Sequence, residues 1–249
     1  RRPDGYIGKP ADAGTDVFAM DTGSGSTTIP NFDSGFPVDF GIWKVTSNGT
    51  QWQTSARLLQ KKELRINSGI LESTGGEGPN MVFDSNVGWN NFQHWTTNGL
   101  SWMWKRGQGF DVVNYTGDSV AGRQIPHNLA KTPEMIWVKT KSGTQEDWTV
   151  YHIGMNGGTN PEQYFLPLNE DNSQSDNDTK WNDTAPTSTH FTVGAGGSVN
   201  TSIGSCKYIA MLFASVDGIS KCGYYTGNGA TDGSNAITVG FQPRFLIIK

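Results

Sequence analysis

Four histidines, His94, His127, His152 and His190, are the side chains whose type best suits base or ligand chemistry near neutral pH. Each stands alone: no His-x-His, His-Glu-x-x-His or facial-triad spacing joins any two of them. They read as hydrogen-bonded edge residues. Cys206 and Cys222 lie in apolar, strand-like stretches without zinc spacing or a Cys-x-x-Cys pair. They read as buried thiols, with a disulfide left open should strand register bring them opposite each other. Oxygen donors are densest in the acidic run 169–179, a composition that suits calcium. The run has neither the central glycine nor the twelfth-position glutamate of a helix-loop-helix calcium site starting at Asp171, so a solvated loop tip is expected. Glycoside hydrolysis needs two carboxylates at a fixed separation, and the acids fall mainly in turns. Nucleophile-elbow, phosphate-loop and dinucleotide patterns are absent, and Gly23-Ser24-Gly25-Ser26-Thr27-Thr28 lacks both the lysine and the helix of a phosphate loop. The expectation is no catalytic residue, no metal site and no cofactor.

Aromatic rings are the stronger binding candidates. Trp52, Trp89, Trp95, Trp148 and Trp181 stand among Asn, Thr, Gln and Asp. Rings beside amides and carboxyls suit carbohydrate recognition, by stacking on the sugar and hydrogen-bonding its hydroxyls. For any single ring, packing between sheets or subunits is the expected role.

The elements that must position these residues are repeated. One phrase occurs three times: Asp21-Thr22-Gly23 leading to Phe40-Gly41-Ile42-Trp43-Lys44, Tyr115-Thr116-Gly117 to Met135-Ile136-Trp137-Val138-Lys139, and Tyr225-Thr226-Gly227 to Phe245-Leu246-Ile247-Ile248-Lys249. The threonines and the lysines keep the same intervals to within one residue, which marks internal duplication. Residues 1–14 read as the end of a preceding repeat or linker, 15–106 as repeat one, 107–220 as repeat two and 221–249 as the start of a third. The broken copies suggest a window from a longer array. Proline precedes the strand in two copies (Pro133, Pro243) and Val38 takes its place in the first, fitting a strand start or edge. The recurring Lys44, Lys139 and Lys249 read as strand ends snorkelling to water.

Composition sets the class. Charged residues are 17%, aromatics 11%, and there are 32 glycines, which fits short strands and tight turns. Segments such as Lys62-Glu63-Leu64-Arg65-Ile66 alternate with period two, placing Leu64 and Ile66 on one face. The polar stretch 51–59 reads as wrapping the surface. No segment shows sustained helical periodicity. The expected fold is all-β: tandem antiparallel β-sandwich, jelly-roll-like repeats with little helix. A mild net charge of −4 argues against a nucleic-acid surface. No apolar run approaches the ~20 residues of a membrane span, so no membrane insertion is expected.

This motif set resembles a domain repeated in tail-fibre proteins of marine bacteriophages, cyanophages included. The likeness is carried by Tyr225-Thr226-Gly227-Asn228-Gly229, by the Gly240–Lys249 strand with its Gly-Phe-x-Pro-x-Phe start, and by the closing strand Tyr208–Phe213. Repeat two adds Val120–Leu129 and Trp181–Thr189. The likeness is good over 107–249 and loose over 15–106, where Met20 and Val38 replace the tyrosine and proline. The resemblance implies a non-catalytic structural part of a phage tail fibre, located on the virion and extracellular at the host surface. It implies self-association as a homotrimer, contact with other tail proteins, and attachment to a host surface glycan or outer-membrane receptor. Two alternatives stand beside it: a tailspike-type polysaccharide depolymerase and a bacterial extracellular adhesin.

Overall fold

The computed structural model describes residues 13–25, 28–46, 49, 51–59, 61–74, 81–91, 99–107 and 109–249. In the first copy the strands are β1 (Phe18–Thr22), β2 (Phe32–Asp33), β3 (Phe40–Val45), β4 (Gln53–Ala56), β5 (Leu64–Arg65), β6 (Met81–Val82), β7 (Gly88–Asn91) and β8 (Gly99–Trp104). In the second they are β9 (Phe110–Thr116), β10 (Arg123–Pro126), β11 (Met135–Ser142), β12 (Thr149–His152), β13 (Tyr164–Pro167), β14 (Ser175–Asp176), β15 (His190–Val193) and β16 (Lys207–Phe213). Two single-turn helices, α1 (Asp178–Trp181) and α2 (Gly197–Asn200), lie in the second copy. The fold is all-β, as composition and alternation predict.

The duplication is visible in the pairing. The large sheet of the first copy runs β1-β8-β3-β4-β5, and that of the second runs β9-β16-β11-β12-β13-β14. Strand for strand these orders coincide, with β14 as an addition. Each copy also has a small sheet, β2-β7-β6 in the first and β10-β15 in the second. Among the described residues all strand pairs are antiparallel.

Side-chain alternation then gives each large sheet two buried faces. In β3, Trp43 and Val45 pack with Phe32, Trp89 and Met103 against the first small sheet. In β11, Ile136 and Val138 pack with Ile125, Phe191 and Val193 against the second. The opposite faces meet each other: Phe40 and Ile42 of β3 share one core with Trp137 of β11, together with Phe110, Val112, Ile209 and Met211. The molecule is therefore four layers deep, and its central core crosses from one copy to the other. Equivalent residues face each other across this seam, since Phe40 and Ile42 stand where Met135 and Trp137 stand in the second copy.

Two local expectations change. The stretch 51–59 does not wrap the surface: Gln53, Thr54, Ser55 and Ala56 are all buried in β4, between β3 and β5. Their polar groups find partners there, Thr54 Oγ1 donating to Gly41 O at 2.9 Å and Ser55 Oγ to Lys62 O at 2.6 Å. A satisfied hydroxyl is tolerated in a core, which polarity along the sequence does not reveal. The glycine of the Thr-Gly phrase also gains a cause. A Cβ on Gly117 would stand 2.1 Å from Thr201 O, and one on Gly23 would stand 2.9 Å from the Phe32 ring.

Candidate functional site

Where the two large sheets end, the seam opens into an apolar pocket of about 390 Å³. Phe18 and Trp104 of the first copy and Phe110, Met135, Trp137 and Phe213 of the second line it, because strand alternation points all of them into the seam. Residues 239–247 lie across its mouth. Phe245 packs on Phe18, Trp102 and Trp104 with ring centroids 5.9, 6.0 and 5.3 Å away. The aromatic row continues outward to Trp52, which stacks on Trp102 at 5.4 Å and carries Lys44 Nζ 5.4 Å from its ring centroid.

A second, polar cleft of about 280 Å³ belongs to the second copy. Asn177 caps α1 by accepting from Thr179 N at 3.0 Å, and the turn it starts buries Trp181 while directing Lys180 into the cleft. Lys180 Nζ donates to Ser198 Oγ at 2.9 Å and sits 4.8 Å from the centroid of the Phe165 ring. Thr149 Oγ1 donates to the same Ser198 oxygen at 2.6 Å. Burial holds the Lys180 ammonium below the usual lysine pKa, with Glu146 and Asp147 acting in the opposite sense. Asn169 Nδ2 donates to both Asp147 (2.7 Å) and Glu170 (3.0 Å) on the rim. Hydroxyls, carboxylates, an ammonium and an aromatic ring form a lining that hydrogen-bonds and stacks on polyhydroxyl ligands. No spacing in the sequence announces this cleft, since Glu146, Lys180 and Ser198 meet only through the fold.

The singled-out residues separate clearly. Trp89, Trp148 and Trp181 are buried, so they pack sheets instead of presenting rings to a sugar. Trp52 is 37% exposed and remains a surface ring; Trp95 lies outside the described residues. His94 is also outside them. His127 is held by backbone on both nitrogens, Nδ1 accepting from Leu129 N and Nε2 lying 3.2 Å from Thr187 O, and burial lowers its pKa. His152 Nδ1 accepts from Gly154 N at 2.9 Å, and its pKa too is lowered by burial. The ring of His190 lies beside the Thr187 and Thr189 hydroxyls.

Both cysteines are free thiols; Cys206 is buried, and burial pushes Cys222 up to about 12. The 169–179 run forms the cleft rim, β14 and the start of α1. Among the described residues no three His, Cys, Asp or Glu side chains converge as a metal-ligand set. The recurring lysine is the clearest correction. Lys139 does not snorkel; it is fully buried because three backbone carbonyls surround its ammonium.

Fold and site together define a duplicated all-β sandwich protein with a shared inter-copy core, an aromatic seam and a polar cleft. Residues 22–249 match the family described as a domain of unknown function, DUF7483, and the chain belongs to that family. That match runs from the last residue of β1 to residue 249. No curated protein and no solved structure matches the chain.

Proposed function

We propose that this chain is a non-catalytic structural component of a bacteriophage tail fibre that contributes to attachment at the host surface. The observation that carries the reading is the duplication: two copies of one sandwich with coinciding strand orders join through a shared core, so the repeated unit enlarges surface and does not build a single catalytic pocket. The motif resemblance supplies the setting, on the virion and outside the host cell. Other tail proteins and a host surface glycan or outer-membrane receptor are the partners that follow from it. Trp52 and the polar cleft are the surfaces best suited to a glycan. Among the described residues no helix is long and apolar enough to cross a membrane.

Antibodies against the purified chain, applied to virions encoding it, are expected to label the tail in electron micrographs. Virions that carry the chain elsewhere, or not at all, overturn the reading. The carboxylates around the polar cleft favour one alternative, a polysaccharide depolymerase. Reducing ends released from host polysaccharide by the wild type, and lost in Glu146→Gln and Asp147→Asn, replace the structural reading with the enzymatic one.

A further inference from the structure

The polar cleft of the second copy holds hydrogen-bonding capacity that the chain itself leaves unused. Ser198 Oγ accepts from Lys180 Nζ at 2.9 Å and from Thr149 Oγ1 at 2.6 Å. A hydroxyl has two acceptor sites and one hydrogen, so both sites are taken and the hydrogen is left for an outside acceptor. Ser198 is 4% exposed and Thr149 2%, which makes them the floor of the cleft. Ser198 engages one of the three Lys180 ammonium hydrogens; among the described residues the other two meet no acceptor and no ion-pair partner. The rim is the reverse. Asp147 and Glu170 are exposed carboxylates that share the Asn169 Nδ2 donor. The Glu146 carboxyl lies against Gly197, where a Cβ would stand 2.4 Å from Oε1, and it accepts no hydrogen bond among the described residues.

Donors below and acceptors above select what can enter. The floor calls for an acceptor oxygen, and the rim for hydroxyl or amide hydrogens. Three carboxylates stand against one ammonium in the lining, so an anionic ligand meets net repulsion and the acceptor is a neutral one. Phe165 and Pro167, two apart on one face of β13, set an apolar wall beside Lys180. A carbonyl that carries a methyl group satisfies floor and wall together. The geometry points to a subsite for one N-acetylated amino sugar, its acetamido group inward and its ring hydroxyls toward the rim carboxylates. This rests on the glycan contact proposed above and gives it a sugar class. The cleft, about 280 Å³, is at the small end of ligand sites, which suits a single sugar unit. Lys180 and Ser198 come from α1 and α2, which have no counterpart among the described residues of the first copy. The subsite is thus carried by what the second copy adds to the shared scaffold.

Saturation-transfer NMR on the whole chain tests it, with the methyl glycosides of N-acetylglucosamine, N-acetylgalactosamine and N-acetylmannosamine as probes. At least one is expected to bind, its acetyl methyl receiving the strongest transfer. The parent hexose and the corresponding uronate are expected to bind about tenfold more weakly. Lys180→Met and Ser198→Ala are each expected to weaken binding about tenfold. Val87→Ser, at an exposed position in the first copy, is expected to bind as the wild type does. The wild-type selectivity and the methyl signal need no variant, which keeps the test valid should either substitution misfold. Binding of no acetamido sugar, equal binding of the parent hexose, tighter binding of the uronate, or unchanged binding by folded Lys180→Met and Ser198→Ala overturns the inference. Antibody-labelled tails without acetamido binding sink the subsite and leave the fibre reading standing; acetamido binding by a chain absent from virions does the reverse.

Discussion

Lys139 of β11 donates from Nζ to the carbonyl of Gly69, 70 residues earlier in the other copy, at 2.9 Å. Thr140 O (3.1 Å) and Glu146 O (2.8 Å) complete the set, so each of the three ammonium hydrogens has an acceptor. The side chain is fully buried, and burial lowers its pKa to about 8 against the opposing pull of Asp147 and Glu146. The corresponding Lys44 lies over Trp52, and Lys249 Nζ reaches Glu170 O. One sequence position thus serves three structural purposes.

Replacing Lys139 by Met removes the shared donor of three carbonyls and cuts a tie between the copies. The expected loss is about 2–4 kcal/mol in urea unfolding at pH 7. The pH dependence has a defined sign. The folded pKa lies below the ordinary lysine value, so between about 8 and 10.5 the unfolded chain binds more protons. Stability from this group therefore rises with pH across that window. The wild-type minus Lys139→Met difference in unfolding free energy is expected to grow from pH 8 to pH 10; a flat or falling difference contradicts the assignment.

Glu63 has the opposite character. It is buried in the first copy with Arg65 Nη2 3.8 Å from its carboxyl, and burial raises its pKa. The folded state holds the proton more tightly, so the stability this group contributes is present in acid and is lost as pH rises above the ordinary glutamate value. Glu63→Gln keeps the shape without the charge, and is expected to raise stability at pH 7 by about 1 kcal/mol. Near pH 4.5 the gain is expected to shrink, as read from urea midpoints at the two pH values.

Gly41 and Trp89 form a size-matched pair. A Cβ on Gly41 would stand 2.6 Å from Trp89 Cζ2, whereas the second copy has Ile136 at that position, packed in a core with Phe191. Gly41→Ala is expected to cost about 1–3 kcal/mol through overpacking, although alanine ordinarily improves a strand interior. Trp89→Phe removes the clashing ring and also the Nε1 bond to Ser101 Oγ at 2.9 Å, so it destabilises alone. Combined, the two are expected to be less damaging than their sum by about 1 kcal/mol in a double-mutant cycle. Simple additivity contradicts the pairing.

Much of this architecture is legible in the sequence because alternation is a backbone property. Leu64 and Ile66 are predicted on one face and both join the central core. The spacing of the Thr-Gly and lysine landmarks locates strands whose order then coincides in the two copies. What alternation hides is which layer covers each face. Alternation puts Phe40, Ile42 and Trp137 on apolar strand faces without showing that they meet across copies, because apolar character does not name its partner. Thr54 and Ser55 read as surface because a hydroxyl's acceptor lies elsewhere in the chain. Lys139 reads as a strand end for the same reason, and the cleft residues Glu146, Lys180 and Ser198 share no spacing.

The shared core makes a prediction about cooperativity. Were the copies independent sandwiches, 15–106 and 107–220 would melt separately, and a substitution in one would leave the other's transition in place. Instead Ile42 and Trp137 contribute to one cluster from opposite copies, and each buries a large side chain against the other's sheet. Unfolding either copy exposes the other's half of the seam, at about 1.5–3 kcal/mol for each large apolar residue uncovered. That coupling is sufficient to merge the transitions. Calorimetry is expected to show one transition with equal calorimetric and van't Hoff enthalpies. Ile42→Ala and Trp137→Ala are each expected to lower that single midpoint, costing about 2–5 kcal/mol. Two resolved transitions, with Ile42→Ala moving only one, contradict the shared core.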